Sequence, residues 1–299
     1  MRNKNINIRP FIKWAGGKGQ ILDKIRAKYP IELGKNITKY AEPFVGGGAV
    51  LFDVLSNFDL QEVYISDVNR ELIATYINIR DNVSTLIEVL YGIENEYLQL
   101  STDDRKAYYY NKRSQFNQLK ANFDTSVMIA ALFILLNHTC FNGLYRVNSK
   151  GEFNVPQGSY KNPTICDAKN LRAVSAVLNN VQIHNADYKA SCEFIDNKTF
   201  AYFDPPYRPL TATSNFTSYA SNGFGDKEQT ELANFIDEIA AKGALFAVSN
   251  SDPKNTDEQD NFFDELYAKH DIFRITATRM ISADGGGRRC VSELLIAKR

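Results

Sequence analysis

A chain of 299 residues with 44% hydrophobic content is long enough for one domain with an insertion or for two domains, and apolar enough for a full core. It carries 35 basic and 35 acidic residues, no run of roughly 18 apolar residues and no charged-then-apolar leader, so a soluble cytoplasmic protein that neither enters a membrane nor is secreted is expected. Cys140, Cys166, Cys192 and Cys290 form no Cys-x-x-Cys pair, and His138, His184 and His270 have no ligand spacing, which argues for a reducing compartment and against a metal site.

In chain order, residues 18–29 read as a helix after a Gly-Gly turn. Gly16-Gly17-Lys18-Gly19 is not a P-loop, because Ile12 stands where its first glycine belongs and Gly19 where its Ser/Thr belongs. A short strand over 39–43 runs into Gly46-Gly47-Gly48 and an apolar helix near 48–56. This is the first turn of a Rossmann-like unit, where glycine lets a ligand approach the backbone, although the dinucleotide spacing G-x-G-x-x-G is absent. A helix start there favours an anionic group such as a carboxylate. The next strand, 62–66, ends at Asp67, an acid placed to accept hydrogen bonds from ribose hydroxyls or to cap a helix. Adenosine plus a carboxylate, without phosphate, describes S-adenosylmethionine.

A long helix begins near Asn69 and continues past Tyr97, followed by helices over 105–121 and 126–138. The last of these is apolar almost all round and belongs in a core. Between Arg105 and Lys161 eight basic residues stand against Asp124 and Glu152, an electrostatic footprint for phosphates or a solvated helix face. Residues 145–156 alternate around Ser149-Lys150-Gly151 as a hairpin does. Strand character returns at 181–186, 199–204, 244–249, 272–278 and 291–297, and the polar segment 252–260 reads as a mobile loop. Alternating strands and helices predict a three-layer α/β sheet, with the helical stretch and hairpin of 70–167 inserted into it.

The most informative segment is Asp204-Pro205-Pro206-Tyr207, directly after the apolar run 199–203. The Asp204 carboxylate and the Pro205 carbonyl are acceptors for the two hydrogens of an exocyclic amine, and the prolines fix where they point. Tyr207 supplies a ring for stacking on a base. The plainer alternative is a Pro-Pro turn after a strand.

Five blocks together resemble the Dam-type DNA adenine-N6 methyltransferases, most of all the modification enzymes of GATC-specific restriction systems. They are Arg9–Lys18 (RPFIKWAGGK), Ala41–Gly48 (AEPFVGGG), Asn142–Pro156 (NGLYRVNSKGEFNVP), Tyr202–Tyr207 (YFDPPY) and a segment from Arg279 through Gly285–Arg288 to Glu293–Leu295. They span nearly the whole chain in the family's order. The resemblance implies a Rossmann-like methyltransferase sheet formed by 1–69 and 168–299, with 70–167 as a mainly helical target-recognition domain carrying a β-hairpin. It implies S-adenosylmethionine as cofactor, bound by Trp14, Ala15, Gly16, Lys18, Glu42, Pro43, Phe44, Gly46, Asp67, Asp187, Tyr188 and Asp204. Here Ala186-Asp187-Tyr188 replaces the usual Gly-Asp-Phe.

It further implies that Lys13, Phe141, Asn142, Leu144, Arg146, Pro156 and Tyr160 contact double-stranded DNA. Arg146 is suited to O6 and N7 of a guanine, and Phe141 to insertion in the base stack or, alternatively, to the core. Arg279 and Arg288 are candidates for phosphates. Asp204, Pro205, Pro206 and Tyr207 then carry methyl transfer to a flipped-out adenine, by a monomer that forms no stable complex with any partner nuclease. Three other readings stand beside this one. An RNA adenine methyltransferase shares the cofactor and the Pro-Pro-aromatic loop. A protein glutamine methyltransferase would favour asparagine at 204. A silent DNA-binding module would need no intact site.

Overall fold

The computed structural model describes residues 8–208, 224–278 and 290–298. Among these, seven strands form one mixed sheet: β1 (Lys39–Glu42), β2 (Glu62–Asp67), β3 (Val181–Asn185), β4 (Thr199–Phe203), β5 (Leu245–Ser251), β6 (Asp271–Thr278) and β7 (Cys290–Ala297). Their order is β3-β2-β1-β4-β5-β7-β6. β4 pairs in parallel with β1 and with β5, whereas β7 runs antiparallel between β5 and β6. Every residue of β4 is buried, which explains its unbroken apolar-aromatic sequence.

The helices are α1 (Leu22–Arg26), α2 (Ala49–Asn57), α3 (Arg70–Asp81), α4 (Val83–Gln99), α5 (Thr102–Ala121), α6 (Val127–Thr139), α7 (Ala168–Leu178), α8 (Asp226–Ala241) and α9 (Phe262–Leu266). Three expectations change. The helix expected over 18–29 shortens to a 3₁₀ turn, Lys18–Gln20, and α1. The long helix after Asn69 is two helices. Asn82 leaves helical geometry (φ −129°, ψ 27°), where its side chain donates to the Asn78 side chain at Oδ1; asparagine is among the residues disfavoured inside helices. The 252–260 loop is tied down, by Asp252 to Arg274 and by Asp260 to Arg208. Helices α7 and α8 were not anticipated from the sequence.

The chain divides into two compact units, one of Met1–Gly17, Val45–Asn57 and Ile65–Ala186, the other of Lys18–Phe44, Phe58–Tyr64 and Asp187–Arg299. In the first, α6 lies at the centre of α3, α4 and α5, and Ile129–Leu136 are buried without a break. Each such Leu or Ile contributes about 1.5–3 kcal/mol relative to an exposed one. In the second, Leu232, Phe235, Ile236 and Ile239 of α8 pack with Phe203, Phe246 and Val248 of the strands and with Phe263 and Tyr267. Among the described residues no helix is long and apolar enough to cross a membrane, and no group of three His, Cys, Asp or Glu is arranged to hold a metal ion.

Candidate active site

β4 ends at Phe203, and Pro205 and Pro206, which follow Asp204, have no N–H to give to a ladder. Asp204 therefore stands at the carboxyl end of a central parallel strand, where open α/β sheets bind their ligands. Its carboxylate lies 2.7 Å from Lys18 Nζ, and the lysine side chain is only 5% exposed. The same ammonium sits 4.7 Å above the centre of the Tyr207 ring. Tyr207 Oη donates to Glu293 Oε2 on β7 at 2.9 Å. Behind the prolines, Gln229 of α8 donates to the Pro206 carbonyl at 3.0 Å and accepts from Asn250 of β5, so two elements hold the turn.

Burial pushes the Asp204 carboxyl above its ordinary range, while Lys18 pulls it down. Burial, with Asp204 and Glu293 nearby, holds the Tyr207 phenol well above its usual range, so it is a neutral donor. In the same unit, Glu42 at the end of β1 is buried and accepts from Tyr40 Oη at 2.6 Å. Pro43 follows it and is also buried. Phe44 stacks on Tyr188 with centroids 5.4 Å apart. Tyr188 is itself buried against Phe235, and Asp187 caps the 3₁₀ turn Tyr188–Glu193 by accepting from Lys189 N.

The other unit holds the glycine loop. Gly46 (φ 47°) and Gly48 (φ 73°) are left-handed, a conformation glycine adopts without the Cβ penalty. Gly46 N–H donates to Asp67 Oδ2 at 3.1 Å, and Asn69 N–H to Oδ1 at 2.8 Å. Burial raises the Asp67 carboxyl and these backbone donors lower it. Asn69, not Asp67, caps α3, through Leu72 N. Trp14 covers Gly46 so closely that an added Cβ would lie 2.7 Å from the indole Cδ1. Ala15 and Gly16 are exposed beside it.

The residues expected at DNA gather in this unit. Lys13 Nζ donates to Tyr160 Oη and lies 4.3 Å over that ring. Phe141 N donates to the Pro156 carbonyl at 2.9 Å. Asn142 is left-handed (φ 54°), Leu144 is half-buried, and Phe141 is 53% exposed, which removes the core alternative for it. The hairpin is present as the bridge Val147–Phe153, closed by a turn over Asn148–Gly151. On it Arg146 is exposed and oriented by its Nε donating to Asn154 Oδ1 at 2.8 Å.

Asn137 of α6 was missed by sequence reasoning. Buried, it accepts from Lys13 N and donates to the carbonyls of Lys13 and Gly143, fixing both segments on one helix. Nothing in an apolar helical run singles it out. The phosphate footprint also shrinks. Arg105 bonds three carbonyls, Arg113 bonds Val155 O, and Lys120 pairs with Glu71, so these three serve the fold. Arg279, Arg288 and Gly285–Gly287 lie outside the described residues.

The seven-stranded sheet with its antiparallel β7 is consistent with an S-adenosylmethionine-dependent methyltransferase fold. Residues 14–281 match the family described as D12 class N6 adenine-specific DNA methyltransferase. The chain is 47% identical over 293 residues to the Type II methyltransferase M.MjaIII of Methanocaldococcus jannaschii, covering 97% of this chain and 99% of that one. It is 36% identical to the Type II methyltransferase M1.LlaDCHI of Lactococcus lactis subsp. cremoris, over 99% and 97% of the two chains. It is 38% identical to a DNA adenine methylase of Haemophilus influenzae, over 84% and 82%. The chain belongs to the D12 class of N6 adenine-specific DNA methyltransferases.

Proposed function

We propose that the protein methylates N6 of a flipped-out adenine in double-stranded DNA, within the sequence GATC, using S-adenosylmethionine as donor. The observation that carries this reading is the cluster of Lys18, Asp204, Tyr207 and Glu293 at the end of β4.

The donor's chemistry suits the residues present. The Asp67 carboxylate accepts backbone N–H groups of Gly46, Val68 and Asn69, and its roughly four lone-pair sites leave one for a ribose hydroxyl. Half-buried Phe44, backed by the buried ring of Tyr188, offers aromatic surface for an adenine, and Lys18 a buried cation for a carboxylate. Trp14, Ala15, Gly16, Lys18, Glu42, Pro43, Phe44, Gly46, Asp67, Asp187, Tyr188 and Asp204 are the proposed donor-binding residues. When bound, the donor supplies a methyl group already activated by its sulfonium.

The chain's own residues then have three tasks. The Asp204 carboxylate and the Pro205 carbonyl accept the two N6 hydrogens, which favours a pyramidal nitrogen and aims its lone pair. Asp204 also stabilises the positive charge that develops on N6, an effect strengthened where water is excluded. Tyr207, held by Glu293 and bearing the Lys18 ammonium on one face, offers its ring to the extrahelical base.

Lys13, Phe141, Asn142, Leu144, Arg146, Pro156 and Tyr160 read and hold the duplex, with Phe141 filling the space the base leaves. Residues 70–167 form the target-recognition domain and 1–69 with 168–299 the catalytic domain. The enzyme acts as a cytoplasmic monomer, and any cognate restriction endonuclease works without a stable complex.

The test is incubation of unmethylated plasmid with the purified protein and S-adenosylmethionine, read by single-molecule sequencing of modified adenines. Modification confined to GATC is expected. Modification in another sequence would discard the recognition assignment, Arg146 first, and no modification with donor binding intact would move RNA to the front. Arg146→Ala is expected to relax one base position, at about 1–3 kcal/mol in discrimination. A uniform loss across sequences would make it a phosphate contact instead.

A further inference from the structure

Trp14 is the chain's single tryptophan, and its indole is held from two sides. One side covers Gly46, whose N–H bonds Asp67. The other stacks on the ring of Tyr145, centroids 5.9 Å apart and planes 26° from parallel. Tyr145 is anchored at its far end too. Its Oη donates to Glu71 Oε2 at 3.0 Å and accepts from Lys120 Nζ at 2.9 Å. Glu71 is 3% exposed and is held by Arg70 and Lys120. It lies in the first turn of α3, the helix that Asn69 opens two residues after Asp67. The ring of Tyr145 thus rests on one donor-site element and its hydroxyl on the helix that starts at another. Its next neighbour in the chain is Arg146.

A phenylalanine would fill the same space without burying a hydroxyl. The hydroxyl, a buried carboxylate and an ammonium together fix how the ring slides and turns against Trp14. Burial and Glu71 keep the phenol neutral, so the donated hydrogen bond is always available.

We propose that Tyr145, anchored by Glu71 and Lys120, is a positioning residue that couples donor binding at Trp14 to base discrimination by the Arg146 hairpin. The proposal rests on the functional reading above. The ring stack ties the angle of the hairpin's first residue to the position of the indole, so a donor that moves or rigidifies Trp14 changes the cost of placing Arg146 against its base. By linkage, DNA of the right sequence must then tighten donor binding by the same factor.

The experiment is a binding cycle with S-adenosylhomocysteine, which cannot transfer a methyl group. Duplex Kd is measured with and without it, for the sequence modified in the plasmid assay and for a one-base variant at the Arg146 position, with Trp14 emission following the ligand. In the wild type, S-adenosylhomocysteine is expected to tighten the correct duplex more than the variant, by a factor within the usual coupling range of about 5–150. Tyr145→Phe is expected to bring that factor towards one while its Kd for S-adenosylhomocysteine alone changes less than about threefold.

Tyr109→Phe is the matched control. It removes another fully buried hydroxyl of the same unit, one that bonds Val155 O at 2.8 Å, and should leave the factor unchanged. Should Tyr145→Phe be too unstable to titrate, Lys120→Met removes the cation from the same hydroxyl and is read in the same way. A wild-type factor of one, an undiminished factor in Tyr145→Phe, or an equal loss in Tyr109→Phe would overturn the coupling while leaving the enzyme's assignment intact. Failure of the wild type to bind S-adenosylhomocysteine or duplex at all would overturn the assignment itself.

Discussion

Asp204→Asn is expected to slow methyl transfer by at least about 10²–10³-fold, the scale on which one preorganised charge-stabilising group is felt, while duplex binding stays nearly unchanged. The substitution keeps the shape and one acceptor and removes the charge. It takes the carboxylate from Lys18, whose side chain is 5% exposed. Because burial makes the Asp204 charge costly to the fold, the lost ion pair is offset by the removed charge, and the melting temperature, followed beside the rate, should change little. Single-turnover transfer near the wild-type rate would sink the catalytic role of Asp204.

The same pair sets a pH dependence whose sign can be worked out. Transfer needs the carboxylate, and burial raises the Asp204 pKa. The acid limb of kcat/KM should therefore lie above the ordinary aspartate value of about 3.9. Lys18 opposes that rise, so Lys18→Gln should move the limb to higher pH. Stability runs the other way. An acid whose folded-state pKa is raised contributes most below its unfolded pKa and loses that contribution as pH rises through the folded value. Ionising Asp204 thus enables catalysis and weakens the fold at once. An acid limb that shifts downward in Lys18→Gln would contradict the assignment.

Gly46→Ala is the second large effect. The residue is left-handed at φ 47°, and its new Cβ would lie 2.7 Å and 2.8 Å from Cδ1 and Nε1 of Trp14. Left-handed strain costs about 1–2 kcal/mol and overpacking about 1–3 kcal/mol, so a loss of about 2–5 kcal/mol is expected. The indole must be displaced, which should shift Trp14 emission and abolish donor binding. Gly19→Ala makes the contrast, because a Cβ there meets nothing within 4 Å. Equal behaviour of the two variants would mean that the loop does not depend on the Trp14 contact.

The parts of the site legible in the sequence are those that local chemistry writes in a few adjacent residues. Pro205 and Pro206 announce the end of β4, Gly46 and Gly48 announce left-handed turns, and Asn148–Gly151 announces the hairpin's reversal. Partners brought together by folding leave no such mark. Glu293 is 86 residues from Tyr207, Asn137 is 124 from Lys13, and Tyr145 is 74 from Glu71. Charge is read worst of all, because a count of basic residues cannot tell Arg105, spent on three backbone carbonyls, from Arg146, which stands exposed on its hairpin. Asn82 shows the same limit at the level of elements. An apolar periodicity that continues past it hides a break at one residue whose backbone leaves helical geometry.

The pairing of β1 with β4 has a consequence for how the protein is made. Lys39 is opposite Thr199 and Ala41 opposite Ala201, so β1 leaves the ribosome long before its partner exists. At about 5–20 residues per second the wait is roughly 8–32 s, during which the nascent chain carries an unpaired edge of buried-type residues. Such edges recruit other strands. The helices of the first unit, rich in contacts close in sequence, form in far less time than that. Synthesis of this enzyme is therefore expected to pass through a stage with folded helices and an open sheet, and soluble yield should respond to chaperone supply and translation speed more than to the stability of the finished molecule.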